Sequence, residues 1–486
     1  MIYKLRPYLE DCVKSISDYI NSDRHDPVLI VGPVGCGKSI LIAEAARLMG
    51  DKTLILQPSK ELLQQNHDKI TSYGIPATIY SASCGKKELS NMIYATLGSI
   101  KKVVGQLKEM GIRNVLIDEA HAGYSPEDGS EFMTFMNELK PSKVIGFTAT
   151  PCRLKNMSIG QTSYSQLNFI TRMRPVYFKN LIHVIQVEEM IRQGFCAPLK
   201  YETWDFNGDA LKLNSNGSEY TAESISEAVR KNGLNNLILR RLMVLKDICR
   251  SILVFMDSVE SCNTAAEWMN AKICAGIAEV VHGGTPKKQR EAIVERFKSG
   301  KTKVVFNYSA LGTGFDHPGL DCVIVGRPTF SFSSFYQWLG RAVRIKDGKD
   351  SALVVDCCNN SSRFGDIRKL SIENYKGYGW GMFIGDKLIT NIPMGDKVTK
   401  TDLDIKAAKK DRRRGLAQGV TAAPVPGRPD HPLGSTVMTF GKYCGWMLHS
   451  IPISYFKFIN ETFDWSNDRN REIKEYIDFL IKNNRL

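Results

Sequence analysis

Residues 32–39 have the sequence GPVGCGKS, which constrains the fold more than any other segment of the chain. The apolar run VLIV (28–31) precedes this segment, and the alanine- and leucine-rich stretch ILIAEAARLM (40–49) follows it. The first run is typical of a buried parallel strand and the second of a helix. A glycine-rich loop between a strand and a helix turns backbone N–H groups toward a phosphate. We therefore predict a phosphate-binding loop, the P-loop, at the edge of a parallel α/β sheet.

The residues of the P-loop have separate expected roles. Gly35 and Gly37 allow the backbone to approach phosphates without an intervening Cβ. Lys38 is expected to reach the β- and γ-phosphates of ATP, and the Ser39 hydroxyl to ligate Mg²⁺. The predicted nucleotide-binding residues of the loop are Gly32, Gly35, Cys36, Gly37, Lys38 and Ser39.

A pair of carboxylates follows a second apolar strand pattern, NVLI (114–117). In a parallel sheet, side chains at the carboxyl end of a strand lie beside the phosphate loop. Asp118 is expected to hold Mg²⁺, and Glu119 to orient and deprotonate the attacking water. His121 follows in the same DEAH segment. Thr148 and Thr150 end the next strand pattern and are candidates for coupling this site to the rest of the chain.

The strand and helix alternation begins again after about residue 250, which predicts a second α/β lobe. This half contains QWLGRAVR (337–344), with Gln337 at its start. Arg341 and Arg344 are three residues apart and are expected on one face of a helix. A P-loop needs a cation opposite the γ-phosphate, and these arginines would supply it during hydrolysis. A solvated basic helix face is the alternative explanation.

Composition indicates the class of partner. The chain contains 65 Lys and Arg against 51 Asp and Glu, a net charge of +14, which suits a polyanion such as nucleic acid. We find no apolar run long enough for a membrane span and no signal peptide, so a cytoplasmic protein is expected. The twelve cysteines include no C-x-x-C pair, which argues against a zinc ribbon and for reduced thiols.

The predicted fold is α/β, with two tandem parallel-sheet lobes and a small C-terminal module. We place the first lobe at residues 1–185 and the second at 186–370. Residues 371–436 contain a segment rich in glycine and aromatic residues, a basic run (406–415) and a proline-rich linker (420–434). The module at 437–486 carries Lys442, Tyr443, Trp446, Tyr455 and Lys457, which either pack in its core or stack on nucleic-acid bases.

In order and spacing, these motifs resemble those of superfamily 2 helicases and translocases, between about residues 3 and 370. The resemblance implies that both lobes are RecA-like. It is strongest to the bacterial RadD-like branch, through LRPYLEDCV (5–13), TATPCRL (148–154) and GFDHPGLDCVIVGRPTFSFSSFYQWLGRAVR (314–344). The seven segments that match the superfamily motifs are GPVGCGKS, QPSKELLQQN (57–66), ATLGSI (95–100), DEAH (118–121), TAT (148–150), ALGTGFDHP (310–318) and QWLGRAVR.

The resemblance also implies roles for residues outside the P-loop. Arg6 and Leu9 would belong to the nucleotide site, and Gly314 and Asp316 would couple that site to nucleic acid. Contacts to the nucleic-acid backbone would come from the segments 57–66, 95–100 and 310–318 and from the region 281–290. Such contacts position a strand without reading its sequence. The residues implied for these contacts are Pro58, Ser59, Lys60, Thr96, Gly98, His282, Gly283 and Thr313.

By this resemblance the chain is expected to be an ATP-dependent DNA helicase or translocase, phage-encoded or bacterial, in repair, recombination or replication. Its substrate would be single-stranded, forked or branched DNA. Two alternatives stay open, which are a DNA-stimulated ATPase that assists repair proteins without unwinding, and an RNA helicase. The short gap between Asp316 and Gln337 leaves no room for a strand-splitting hairpin. Such a wedge is expected within residues 152–180 or in the C-terminal module.

One residue departs from the family pattern. In the family pattern LRPYQ, the glutamine recognises adenine. This chain has LRPYL at residues 5–9, so Leu9 stands at the position of the glutamine. A leucine packs on a base without distinguishing it from another, so the sequence predicts weak preference for ATP over other nucleoside triphosphates. Glu10 is the neighbouring residue that could contact the base instead.

Overall fold

The computed structural model describes residues 5–159, 162–312, 315–407, 431–440, 443, 446–463, 465 and 470–486. Within these residues the chain forms two parallel-sheet lobes, so the predicted α/β class is confirmed. Several predicted features lie outside the described residues. They are Thr313, Gly314, Lys442, and most of the basic run and the proline-rich linker.

The first lobe is built on a sheet of eight strands as described, all parallel except the short edge strand Lys86–Lys87. Three of its inner strands are fully buried four-residue segments of mainly apolar residues, as expected for a sheet covered by helices on both faces. In spatial order the strands are Asn180–Val184, Val28–Val31, Lys143–Thr148, Asn114–Ile117, Thr53–Leu56, Met92–Ala95, Thr78–Ser81 and Lys86–Lys87.

The second lobe repeats this architecture with six strands in its described part, and all of their pairings are parallel. Because every strand runs the same way, the loops that follow the strands meet at one edge of the sheet. In spatial order the strands are Leu199–Thr203, Ala352–Asp356, Cys322–Val325, Ile252–Phe255, Val304–Tyr308 and Ala278–His282.

Two further β elements accompany the lobes. An antiparallel hairpin, Cys152–Ile159 with Thr162–Phe169, begins one residue after the TAT segment. A small sheet contains Leu370–Tyr375, Gly379–Ile384, Lys387–Leu388 and Val398–Thr399. The α-helices of the described residues are Pro7–Asn21, Lys38–Met49, Lys60–Ser72, Leu97–Ile100, Val104–Glu109, Glu131–Leu139, Val187–Arg192, Ala222–Lys231, Leu234–Ile248, Val259–Lys272, Lys287–Lys298, Phe332–Leu339, Asn360–Phe364, Ile453–Thr462 and Arg471–Lys482.

The two lobes share one apolar core. A single cluster of buried side chains covers the first sheet and continues onto one face of the second, and a separate cluster covers the second sheet's other face. Both lobes accordingly fall into one compact unit, residues 1–374 with 380–398. None of the helices described is both long and apolar enough to cross a bilayer.

Residues 375–379 and 399–486 form a second compact unit. Its core is a small apolar cluster that includes Leu448, Phe456 and Tyr476. Tyr443 lies edge-on to Trp446 and Tyr455, with ring centroids 5.5 and 4.8 Å apart, at the half-buried margin of this core. The sequence left two roles open for these rings, packing in the core and stacking on bases. Their contacts with one another fit the first role.

Candidate nucleotide site and nucleic-acid faces

The P-loop has the geometry that its glycines permit. Gly35 and Gly37 have φ angles of 87° and 95°, in the left-handed region that a side chain would strain. Gly37 is the N-cap of the helix Lys38–Met49, so the first N–H groups of this helix face the loop's concave side. The Cys36 side chain is 1% exposed and its carbonyl accepts from the Tyr8 hydroxyl, at 2.9 Å. Cys36 can therefore contribute only its backbone to a nucleotide.

The carboxylate pair lies beside the P-loop lysine. Lys38 Nζ forms an ion pair with Glu119 and lies 3.6 Å from Asp118 Oδ1. Burial raises the pKa of Asp118 to about 6, although Lys38 acts against this rise. Burial also opposes the charge on Lys38, but Glu119 and Asp118 outweigh burial and raise the pKa of Lys38. Asp118 is buried and Lys38 and Glu119 are partly buried, and the three side chains form an ion-paired group at the carboxyl edge of the first sheet.

A hydrogen-bond network connects this group to the second lobe. His121 Nδ1 lies 2.8 Å from Thr148 Oγ1, and His121 Nε2 lies 3.0 Å from the Ser333 hydroxyl. Ser333 is also 3.1 Å from Thr150 Oγ1, and Gln337 Nε2 donates to it at 3.5 Å. Burial lowers the pKa of His121 to about 4, so the ring is neutral near pH 7. It then carries one N–H, and one of its two hydroxyl partners must donate while the other accepts.

Sequence inspection did not identify Ser333. The segment FSFSSFYQ contains three serines. Among the described residues, the hydroxyls of Ser331 and Ser334 bond only to one another or to the local backbone. A helical repeat places Ser333 four residues before Gln337 on the same face, which was the available signal. Which serine reaches the first lobe depends on how the lobes pack.

The two arginines do not share a helix face, which corrects the expectation from their spacing. The helix Phe332–Leu339 ends before them, and Gly340 is its C-cap. A Cβ on Gly340 would lie 2.5 Å from Val34 Cβ in the P-loop, so the chain needs glycine for this close approach. Arg341 and Arg344 belong to the turn that follows and reach the cleft from there.

Each arginine is held by its own partners. Arg341 is 7% exposed and donates to the carbonyls of Phe315 at 2.7 Å and Gly312 at 2.9 Å. Burial lowers the pKa of Arg341 to about 10, and Glu119 favours its charge, so the guanidinium is positive near pH 7. Arg344 forms an ion pair with Asp316. The segment around Asp316 therefore orients both guanidinium groups.

Lys349 is a further residue that no motif indicated. Its Nζ donates to the carbonyls of Ala342 at 2.7 Å and Arg344 at 2.8 Å, and to that of Pro318 at 3.3 Å. It thereby ties the arginine turn to the segment that follows Asp316.

A single cavity of about 600 Å³ joins these elements, within the usual size range for small-molecule sites. The residues of both lobes that line it are Arg6, Pro33, Val34, Gly35, Gly37, Lys38, Ser39, Ile40, Leu62, Gln65, Asp68, Lys69, Ser72, Glu119, Phe195, Asp316, Pro318, Gln337, Arg341, Arg344 and Ile345.

Leu9 is placed differently from the expectation. It is 2% exposed and packs behind the P-loop, where its Cδ1 would lie 3.4 Å from a Cβ on Gly37. The anticipated direct contact between Leu9 and a base is therefore wrong for this geometry. Arg6 and Phe195 line the cavity instead, with the guanidinium carbon 4.9 Å from the ring centroid. Phe195 carries no sequence signal, because it lies in a connection between the lobes.

The residues implied for nucleic-acid contact follow strands in both lobes. Pro58, Ser59 and Lys60 follow the strand Thr53–Leu56, and Thr96 and Gly98 follow its neighbour, Met92–Ala95. These two segments therefore share one edge of the first sheet. In the second lobe, His282 ends the strand Ala278–His282, and Gly283 follows it. Each lobe thus presents one such surface.

Comparison with known proteins gives the family. Residues 2–153 match the model "Type III restriction enzyme, res subunit", and residues 234–346 match "Helicase conserved C-terminal domain". The two matches fall on the first and second lobe, in that order. The chain belongs to the superfamily 2 helicases. Their tandem RecA-like lobes are the lobes described above.

Relatives of this superfamily 2 chain are distant. A 51.5 kDa protein of Lactococcus phage (isolate 7-9) is 25% identical over 68% of this chain and 65% of its own length. ATP-dependent DNA helicase Q-like 2 of Arabidopsis thaliana is 22% identical over 68% of this chain and 44% of its own. The chain thus spans less than two thirds of either relative.

A solved structure has the same fold. The ATP-dependent Type ISP restriction-modification enzyme LlaBIII bound to DNA matches 87% of this chain and 30% of its own, with a TM-score of 0.54 and 15% identity.

Proposed function

We propose that this chain hydrolyses ATP or a related nucleoside triphosphate between its two lobes and couples each turnover to movement on nucleic acid. One observation carries the proposal. The P-loop and Glu119 of the first lobe and the arginines of the second lobe line the same cavity. A nucleotide bound there would touch both lobes, so hydrolysis would change the contacts between them.

The donor set of the cavity fits a magnesium nucleotide. Ser39 lines the cavity, and Asp118 is a carboxylate at 2% exposure beside Lys38, so a hydroxyl and a carboxylate would hold Mg²⁺ together with phosphate oxygens. When bound, Mg²⁺ would neutralise charge on the β- and γ-phosphates.

The chain's own residues would then divide the work. Lys38 would exchange its carboxylate partners for phosphate oxygens. Glu119 lines the cavity, and its Oε2 accepts no hydrogen bond from the described residues, although His121 Nδ1 lies 3.4 Å away. This carboxylate would take a proton from water. Arg341 would stabilise the charge that develops on the transferred phosphoryl group.

DNA is the favoured partner. The net charge of +14 and the surfaces after Thr53–Leu56, Met92–Ala95 and Ala278–His282 suit a phosphate backbone. The DNA in the LlaBIII structure and the helicase name of the plant relative lend support from similar proteins. A role in repair, recombination or replication, as in the RadD-like branch, is part of the proposal.

The hairpin after TAT favours strand separation over a simple ATPase switch. Each strand of the hairpin has eight residues, about 26 Å of extended chain. Only Pro151 separates Thr150 from the first of these strands. Arg153 in this strand donates to the carbonyls of Tyr124 at 2.6 Å and Ala120 at 3.2 Å. These hydrogen bonds connect the hairpin to the DEAH loop, so the hairpin is a candidate for the wedge that separates the strands.

The test measures ATP hydrolysis and strand displacement side by side on single-stranded, forked, four-way-junction and RNA substrates. The proposal expects DNA to raise hydrolysis and forked or branched DNA to be unwound. Stimulation by DNA without displacement would support the accessory ATPase, and stimulation by RNA alone would support an RNA helicase. No hydrolysis with any nucleic acid would contradict the proposal.

A further inference from the structure

A buried asparagine contacts the carboxylate that is expected to hold Mg²⁺. Asn66 lies on the helix Lys60–Ser72 and is 1% exposed. Its Nδ2 donates to Asp118 Oδ2 at 3.0 Å. Because an ionised carboxylate only accepts hydrogen bonds, the amide must present its NH₂ group to Asp118. Asn66 therefore fixes one of the two oxygens of Asp118.

The other carboxylate oxygen of Asp118, Oδ1, is contacted by residues of the first lobe's loops. The backbone N–H of Glu119 donates to Oδ1 at 2.9 Å, and Lys38 Nζ lies 3.6 Å from the same atom. Asn66 is the hydrogen-bond donor found for Oδ2 among the described residues. Rotation of the carboxylate is thus limited from two sides, and one of these sides is a helix.

The same helix begins at the surface implied for nucleic acid. Ser59 is its N-cap and accepts from the N–H of Leu62 at 3.3 Å. Pro58 and Lys60 are exposed beside it. Asn66 is six residues beyond Lys60, about 9 Å along the helix axis. A helix of thirteen residues moves as a rigid body over that distance, so a shift at its N-terminus would also move Asn66.

We propose that Asn66 is a positioning residue through which nucleic acid, bound at the N-terminus of the helix Lys60–Ser72, orients Asp118 for Mg²⁺. This inference rests on the proposed function. Groups that orient a metal ligand commonly change metal affinity by about 10- to 100-fold when they are removed. Asn66 would therefore make Mg²⁺ binding, and with it hydrolysis, respond to nucleic acid.

The test uses the full chain and a fluorescent ADP analogue, mant-ADP. Its binding is titrated with MgCl₂, with and without single-stranded oligothymidylate at a concentration that saturates the protein but is far below that of MgCl₂. The variants are Asn66→Ala and Asn66→Leu, and leucine keeps the branching and the number of heavy atoms of asparagine without its hydrogen bonds. The control is Thr71→Ala, because Thr71 is exposed on the same helix and its hydroxyl donates to the backbone carbonyls of His67 and Asp68.

In the wild-type chain, DNA should lower the Mg²⁺ concentration for half-maximal mant-ADP binding. Both Asn66 variants should raise that concentration about tenfold and no longer respond to DNA. Their mant-ADP affinity in EDTA and the Mg²⁺ response of the Thr71→Ala control should stay unchanged. Either a wild-type chain without a DNA effect on Mg²⁺ or an Asn66 variant that keeps the effect would overturn the inference. A wild-type chain that binds no mant-ADP would instead contradict the proposed function.

Discussion

The two lobes share a parallel-sheet architecture, but the charged side chains that they contribute to the cavity between them have different partners. The first lobe brings Lys38, which forms an ion pair with Glu119 and lies 3.6 Å from Asp118 Oδ1. The second lobe brings Arg341, which is buried and held by backbone carbonyls instead of a carboxylate. The difference indicates a division of labour. Under the proposed function, the first lobe would supply the main phosphate contacts, and hydrolysis would need the charge that the second lobe supplies.

The largest expected effect comes from the first lobe. Glu119→Gln removes the proposed base and should lower turnover about 10²–10⁴-fold while nucleotide still binds, and Lys38→Ala should abolish turnover. Isothermal titration with ATP and a phosphate-release assay separate the two steps. Normal turnover in Glu119→Gln would place the base elsewhere.

The second compact unit should matter for nucleic acid and not for the cavity. Deleting residues 401–486 removes the basic run and the small module, while every lining residue of the cavity remains. We expect DNA affinity to fall about tenfold at moderate salt, because fewer counterions are released, while the basal hydrolysis rate persists. Fluorescence anisotropy with branched DNA measures the change. Undiminished affinity in the truncated chain would show that the unit does not bind DNA.

Communication between the lobes is tested at Ser333. Ser333→Ala removes hydroxyl contacts to His121 and Thr150, each of ordinary hydrogen-bond strength. We expect the DNA-stimulated rate to fall about tenfold, with little change in nucleotide affinity. Ser334→Ala is the matched control, because that hydroxyl contacts only Ser331 among the bonds described. Equal rates in the two variants would remove the network from the mechanism.

The smallest expected effect concerns the base. Arg6 and Phe195 offer stacking and donors but no acceptor that selects adenine, so kcat/KM for the four nucleoside triphosphates should agree within about tenfold. Phe195→Ala should raise KM for all four alike, by about tenfold if the ring stacks on the base. A preference for ATP above about a hundredfold would show that another group recognises the base.

Local sequence was sufficient where function depends on one strand and the loop after it. The P-loop, Asp118 and Glu119 follow buried strands directly, so their meeting at one sheet edge could be predicted. The positions of Arg341 and Leu9 could not. The helix before Arg341 ends where Gly340 meets Val34, a contact between lobes. Leu9 is turned under Gly37 by the packing of the helix Pro7–Asn21. Both depend on tertiary contacts that no local pattern contains.

The central claim is that the second lobe completes the hydrolytic site. The most direct measurement is single-turnover hydrolysis of pre-bound ATP by Arg341→Ala in the presence of DNA, with Arg240→Ala, an exposed arginine of the same lobe, as control. Arg341→Ala should bind ATP as the wild-type chain does but hydrolyse it about 10²-fold more slowly or worse, because the guanidinium acts on transition-state charge. Hydrolysis at the rate of the Arg240→Ala control would contradict the claim.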